Sequence, residues 1–129
     1  MNQERDGFKT LFFDTYALYG IALGSKNYKL YSSGFRIITT IMNLYELYYR
    51  LIQDNFLFEA EKFFEKFLPD CVEIKHNLIK EAALFRLQNK RLNLSYVDAL
   101  GYVISMNHGV KFLTGDEAFK KLLNVEFVK

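Results

Sequence analysis

Cysteine and proline are nearly absent from this chain, and tryptophan is wholly so. One cysteine, Cys71, among 129 residues excludes an internal disulfide and every zinc motif built from several cysteines. Its ordinary role is that of a small buried thiol. No uncharged run reaches the ~18 residues that a membrane-spanning helix needs. Residues 1–7 hold no apolar core behind a basic start, so no secretory signal is read there. The expectation is a soluble, cytoplasmic protein with no membrane partner. Nor is charge of one sign abundant: the net charge of +2 and pI near 8.6 are compatible with a nucleic-acid partner but too mild to argue for one.

What is present is apolar. Half of the residues are hydrophobic and 17% are aromatic, all Phe or Tyr, which is enough for one domain with a real core. Leu11-Phe12-Phe13 reads as a short buried strand, and Thr15 to Leu23 as a helix stopped near Gly24. The β-branched run Phe35 to Ile41 predicts a second strand. It is followed by a helix with Leu44, Leu47, Tyr48 and Leu51 at i, i+3, i+4, i+7. Phe56 to Phe67 predicts another helix, closed by Pro69, the only proline. Val72-Glu73-Ile74 reads as a short strand, Asn77 to Gln88 as a helix, and Asn89 to Asn93 as a basic loop. Ser95 and Asp98 have the form of a capping box, opening a helix that runs to Asn107 and stops at Gly109. Val110 to Thr114 predicts a strand, Glu117 to Leu123 a short helix, and Val125 to Val128 a last strand.

Strands alternating with helices predict an α/β fold of three layers, a mainly parallel sheet covered on both faces. One domain over residues 9–129, preceded by a loose polar tail over residues 1–8, is expected. In such sheets ligands bind beyond the carboxyl ends of the strands.

Against this apolar background the carboxylates stand out by isolation. Asp14 is the only charged residue between Lys9 and Lys26, Glu46 the only one between Arg36 and Arg50, and Asp98 the only one between Arg91 and Lys111, with His108 neutral. Elsewhere acids and bases mix as on a solvated face, as in Glu59, Glu61, Lys62, Glu65 and Lys66. A lone carboxylate in an apolar segment is costly to bury unless a cation or several donors face it. With Asp116, at the exit of a strand, these make four candidates for one acidic pocket. Each has a plainer reading. Asp14, Asp98 and Asp116 can be helix caps, and Glu46 can be a surface partner for Arg50 four residues on.

With those residues in view, the chain resembles a PIN domain, the metal-dependent nuclease fold of VapC-like toxins, from about Lys9 to Lys129. The motifs carrying the resemblance are LFFDTYAL, with Asp14 and Thr15; ITTIMNLYEL, with Glu46; Ser95-Tyr96-Val97-Asp98-Ala99; and Thr114-Gly115-Asp116. The polar tail before Leu11 departs from the pattern and touches no motif. The resemblance implies Mg²⁺- or Mn²⁺-dependent hydrolysis of RNA phosphodiester bonds. Asp14 and Asp98 would be the principal metal ligands and catalytic acids, with Glu46 and Asp116 completing the set directly or through water.

In that reading Thr15, Asn43 and Thr114 are hydrogen-bonding supports, although Asn43 and Thr114 are equally well read as caps. Arg86, Lys90, Arg91 and Lys111 are candidate phosphate contacts, with a solvated basic loop as the plainer reading of the first three. Tyr45, Tyr48 and Tyr49 could stack bases, but aromatics at this spacing more often form core or a dimer surface. An apolar face on the Met42–Phe67 helices suits self-association, and the family implies a homodimer and a cognate antitoxin.

Other chemistries lack their motifs. No P-loop occurs, and no motif supports Cys71 as a nucleophile with His76 or His108. An α/β receiver-type signalling domain wants an adjacent acidic pair after the first strand, where Phe13 precedes Asp14. A haloacid-dehalogenase-type phosphatase wants DxD there, where Asp14-Thr15-Tyr16 stands. The remaining alternatives are a PIN-like module that binds RNA or a partner without cutting, and an RNA-processing nuclease with no antitoxin.

Overall fold

Side-chain alternation along two strands sorts the core into two halves. The computed structural model describes residues 4–5 and 8–129. Its sheet contains β1 (Glu4–Arg5), β2 (Phe8–Phe13), β3 (Phe35–Ile38), β4 (Lys111–Thr114) and β5 (Val125–Phe127). The helices are α1 (Thr15–Ala22), α2 (Ile41–Gln53), α3 (Leu57–Phe67), α4 (His76–Gln88) and α5 (Tyr96–Asn107). Leu11 and Phe13 of β2, with Leu113 of β4, pack on one face against Leu18 of α1, Leu44, Leu47 and Leu51 of α2, and Phe63 and Phe67 of α3. Phe12 and Phe112, the intervening residues, pack on the other face against α4 and α5, among them Leu78, Tyr102 and Ile104. A period of two in the strands therefore yields three layers, with both faces of the sheet dry.

The four strands β3, β2, β4 and β5 lie side by side and parallel, registered Leu11↔Ile37, Phe12↔Phe112 and Phe112↔Val125. Parallel strands share one carboxyl edge, so β2 and β4 deliver Asp14 and Thr114–Asp116 to the same side of the sheet. A hydrogen bond from the Asp14 N–H to the Leu113 carbonyl, at 3.2 Å, carries the ladder one residue past β2.

Several expectations meet corrections. Val72-Glu73-Ile74 is not a strand: only an isolated bridge, Thr39↔Cys71, forms, with the Val72 N–H donating to the Thr39 carbonyl at 2.9 Å. The reason lies upstream. The run expected as strand to Ile41 ends at Ile38, because Thr40 turns out of the sheet to cap α2, leaving only Thr39 to pair. The helix expected over Glu117–Leu123 is only a 3₁₀ turn, Glu117–Phe119. Asn124 then adopts a left-handed conformation (φ 63°), with its side-chain amide donating to the Val110 carbonyl at 2.7 Å, and this returns the chain to β5. Within the stretch expected to be a loose tail, Glu4–Arg5 pair antiparallel with Phe8 and Lys9. The rest of that expectation, over residues 1–3, 6 and 7, lies outside the described residues.

Candidate active site

Asp14 follows β2 directly and caps α1, its Oδ1 accepting from the Ala17 N–H at 2.8 Å. It is 4% exposed. Burial pushes its carboxyl up to about 7; the Thr114 hydroxyl and the Ala17 N–H pull the other way, and the negative charges of Asp98 and Asp116 raise it further. The carboxylate is thus held where charge is expensive, and its neighbours include two more carboxylates.

Asp98 completes the capping box: its Oδ2 accepts from the Ser95 N–H at 3.0 Å while its own N–H donates to Ser95 Oγ at 3.0 Å. Burial raises its pKa, the Ser95 N–H and the Ser95 hydroxyl oppose the rise, and Asp116 adds to it. Asp116 leaves β4 through Gly115. A Cβ on Gly115 would lie 2.2 Å from the ring of Tyr16 and 2.6 Å from the Val128 carbonyl, so a side chain there would push the whole turn outward. The Asp116 N–H donates to Thr114 Oγ1 at 3.0 Å, and its Oδ1 accepts from the Ala118 N–H at 3.0 Å. The cap readings of Asp14, Asp98 and Asp116 are therefore all correct locally. They do not compete with a shared pocket, because a carboxylate has lone pairs to spare after capping.

Glu46 arrives from α2 rather than from a strand end. The Thr15 hydroxyl donates to its Oε1 at 2.7 Å, and Asn43 Nδ2 donates to Thr15 Oγ1 at 3.1 Å. Thr40 in turn donates to Asn43 Oδ1 at 2.6 Å. This chain of bonds, Thr40–Asn43–Thr15–Glu46, rests on buried groups: Thr40 is 0% and Asn43 2% exposed. Burial raises the Glu46 pKa, the Thr15 bond lowers it, Asp98 raises it and Arg50 lowers it. Arg50, read from sequence as the ion-pair partner of Glu46, lies with its guanidinium over the Tyr19 ring at 4.8 Å.

Asp14, Glu46, Asp98 and Asp116 line one open cavity of about 510 Å³. Tyr16, Tyr45, Tyr49, Arg50 and Gln53 form much of its remaining wall. Of these, only Tyr45 and Tyr49 were weighed from sequence for substrate contact, and both stand outside the core; Tyr48 instead donates its hydroxyl to Glu61 and meets Phe64 edge-on. Thr40 was missed altogether, as was Thr39, whose hydroxyl donates to the Phe13 carbonyl at 2.9 Å and fixes the chain just before Asp14. Both sit in the ITTI run, where β-branching masks their hydroxyls.

The four basic candidates lie elsewhere. Arg86 bonds the Leu94 carbonyl at 2.8 Å and covers the Tyr96 ring, and it shares a separate depression with Lys90. Arg91 is exposed in the following turn, and Lys111 starts β4, at the opposite edge of the sheet from Asp116. None of the four lines the acidic cavity.

The fit to a metal follows from the donors. All four are hard carboxylate oxygens, the ligands that Mg²⁺ and Mn²⁺ prefer. Among the described residues, no three His, Cys, Asp or Glu side chains converge closely enough to cage an ion by themselves. The set suits a cation that keeps part of its water, as Mg²⁺ does, and not a closed site of protein ligands alone.

The PIN domain family model matches residues 11–123, a span that contains all four carboxylates. The chain belongs to the PIN domain family. This PIN domain is similar in fold to VapC20 of Mycobacterium tuberculosis, described as a Sarcin-Ricin loop cleaving toxin, with a TM-score of 0.77, 18% identity, and coverage of 92% of this chain and 99% of that one. It is also similar to a toxin–antitoxin complex from Klebsiella pneumoniae (TM-score 0.71, 16% identity, 90% and 95% covered). A third such structure is VapBC2 of Rickettsia felis bound to a promoter DNA fragment (TM-score 0.67, 16% identity, 93% and 99% covered). No curated protein matches this chain. Among its described residues, no helix is long and apolar enough to cross a membrane.

Proposed function

We propose that this PIN domain is a Mg²⁺- or Mn²⁺-dependent endoribonuclease and the toxin of a toxin–antitoxin pair, acting in the cytoplasm. One observation carries the reading: four carboxylates line a single cavity at the carboxyl edge of the sheet, with the affinity of Asp14 for protons raised first by its burial there and then by the charges of Asp98 and Asp116. Carboxylates that repel one another at such cost are balanced by a cation. Asp14 and Asp98 would hold it, with Glu46 and Asp116 completing the set directly or through water. When bound, the cation supplies Lewis acidity toward the scissile phosphate and the attacking water. The chain's own part is orientation. Caps fix Asp14, Asp98 and Asp116 on rigid helix starts, and Thr15, held by Asn43 and Thr40, aims Glu46. The toxins among the structural neighbours support the biological role, and they support an antitoxin as partner. Exposed Ile52, Leu57 and Phe58 on α2 and α3 would serve a homodimer.

The deciding experiment is cleavage of a panel of structured RNAs with Mn²⁺ or Mg²⁺, with EDTA and Asp98→Asn as controls. Cutting that requires metal and is lost in the variant is the expected result. A module that binds RNA without cutting is the second reading, favoured by the lack of a ready-made three-ligand cage among the described residues. It would show RNA binding and neither cleavage nor stabilisation by metal.

A further inference from the structure

The protein has nine tyrosines, and seven have visible employment. The hydroxyls of Tyr19, Tyr28, Tyr31, Tyr48 and Tyr102 each donate to a carboxylate or a backbone carbonyl. The Tyr16 ring packs on Tyr28, and the Tyr96 ring lies under Arg86. Tyr45 and Tyr49 differ. Among the described residues, neither hydroxyl is hydrogen-bonded and neither ring meets another ring or a cation, and they are 68% and 57% exposed. They stand one turn apart on α2, on the same side of the helix. Both line the acidic cavity, whose only basic wall residue among those described is Arg50, already laid over Tyr19.

That wall poses an electrostatic problem for any nucleic acid. Beyond the one phosphate that a bound cation would face, four carboxylates and a single guanidinium laid over Tyr19 offer the rest of a phosphate backbone little attraction. Free π-faces attract bases whatever the phosphate charge, provided the bases are unpaired. We propose that Tyr45 and Tyr49 are a stacking platform for unpaired bases, admitting single-stranded RNA to the cavity. This rests on the ribonuclease reading and names the side chains that receive its substrate's bases. Because every base has a π-face, the platform selects for strandedness and not for sequence.

The test is fluorescence anisotropy with a short labelled oligoadenylate and with the same strand carrying abasic positions. It is run on the full chain in an Asp98→Asn background, so that no cutting interferes. The intact strand is expected to bind about tenfold more tightly than the abasic one. Tyr45→Leu and Tyr49→Leu should each lose about tenfold of the intact-strand affinity, while Tyr45→Phe and Tyr49→Phe keep it. Thermal melts confirm that these exposed changes leave the fold intact. Equal binding of intact and abasic strands, or leucine variants with undiminished affinity, would overturn the platform. So would leucine variants that keep RNA affinity but lose a protein partner. Cleavage by the Asp98 parent is scored separately. A protein that cuts but ignores the rings refutes the platform alone, and one that shows ring-dependent binding without cutting refutes only the nuclease.

Discussion

Two sets of charged residues in this chain have opposite surroundings. On α3, Glu61, Lys62, Glu65 and Lys66 alternate in sign along an exposed face, and both lysines lie over the Phe63 ring. At the carboxyl edge of the sheet, Asp14, Glu46, Asp98 and Asp116 share a cavity, and the carboxyls of Asp14, Glu46 and Asp98 are all raised above their ordinary values by burial. Both sets are rich in carboxylates. What separates them is company, since the first is interleaved with cations and water while the second is set among apolar residues and other acids. The second arrangement opposes stability unless something positive occupies it, and strongly shifted carboxyls cluster at functional sites.

The sharpest way to break this contrast is to remove one acid from each side. Asp14→Asn is expected to reduce metal-dependent RNA cleavage on the order of a thousandfold, while Glu61→Gln leaves it unchanged, both scored in the same gel assay. The next test uses pH. The folded Asp14 carboxyl is raised from 3.8 to about 7, so the metal-free fold holds its proton more tightly than the unfolded chain does. Its stabilising contribution is complete below the unfolded value and lost as pH rises through the folded one. Without metal, denaturant melts should therefore weaken by a few kcal/mol between the two values, and Asp14→Asn should make the profile shallower, leaving the slopes due to Glu46 and Asp98. Adding Mn²⁺ at neutral pH should restore the loss, and a pH-independent melt of the metal-free protein would contradict the account.

Smaller effects sharpen the contrast further. Thr15→Val removes the donor to Glu46 and leaves Asn43 Nδ2 unpartnered. A loss of about 10- to 100-fold in Mn²⁺ affinity is expected by calorimetric titration. Gly115→Ala drives a methyl group into the Tyr16 ring and should cost about 1–3 kcal/mol in thermal stability while displacing Asp116. Glu65→Gln, on the exposed row of α3, should move stability by no more than about 0.5 kcal/mol.

Much of this was legible along the chain. Isolation of charge singled out Asp14, Glu46 and Asp98, and the alternation of strands with helices announced a sheet covered on both faces. The Ser95–Asp98 capping box and the Gly109 stop, at φ 67°, bounded α5. What stayed hidden depended on partners far away in sequence. Nothing local says that Val72 faces the end of a strand already used up at Ile38. Thr40 reads as one more β-branched residue until Asn43 and Thr15 fold up to it. The basic candidates meet the same limit: charge along the chain says nothing about which edge of the sheet it will occupy, and Lys111 begins the strand that Asp116 follows.

On the proposed reading of the four acids as the reacting set, their double employment bears on how such a protein loses its chemistry. Asp14, Asp98 and Asp116 each hold a helix start with an oxygen that asparagine also possesses, and asparagine caps as well as aspartate does. Exchange for alanine would remove the chemistry and fray the helix together, confounding any assay. Exchange for asparagine would silence the pocket and leave the architecture standing. A lineage of this fold is therefore a single conservative substitution away from a folded, inert receptor for the same ligand.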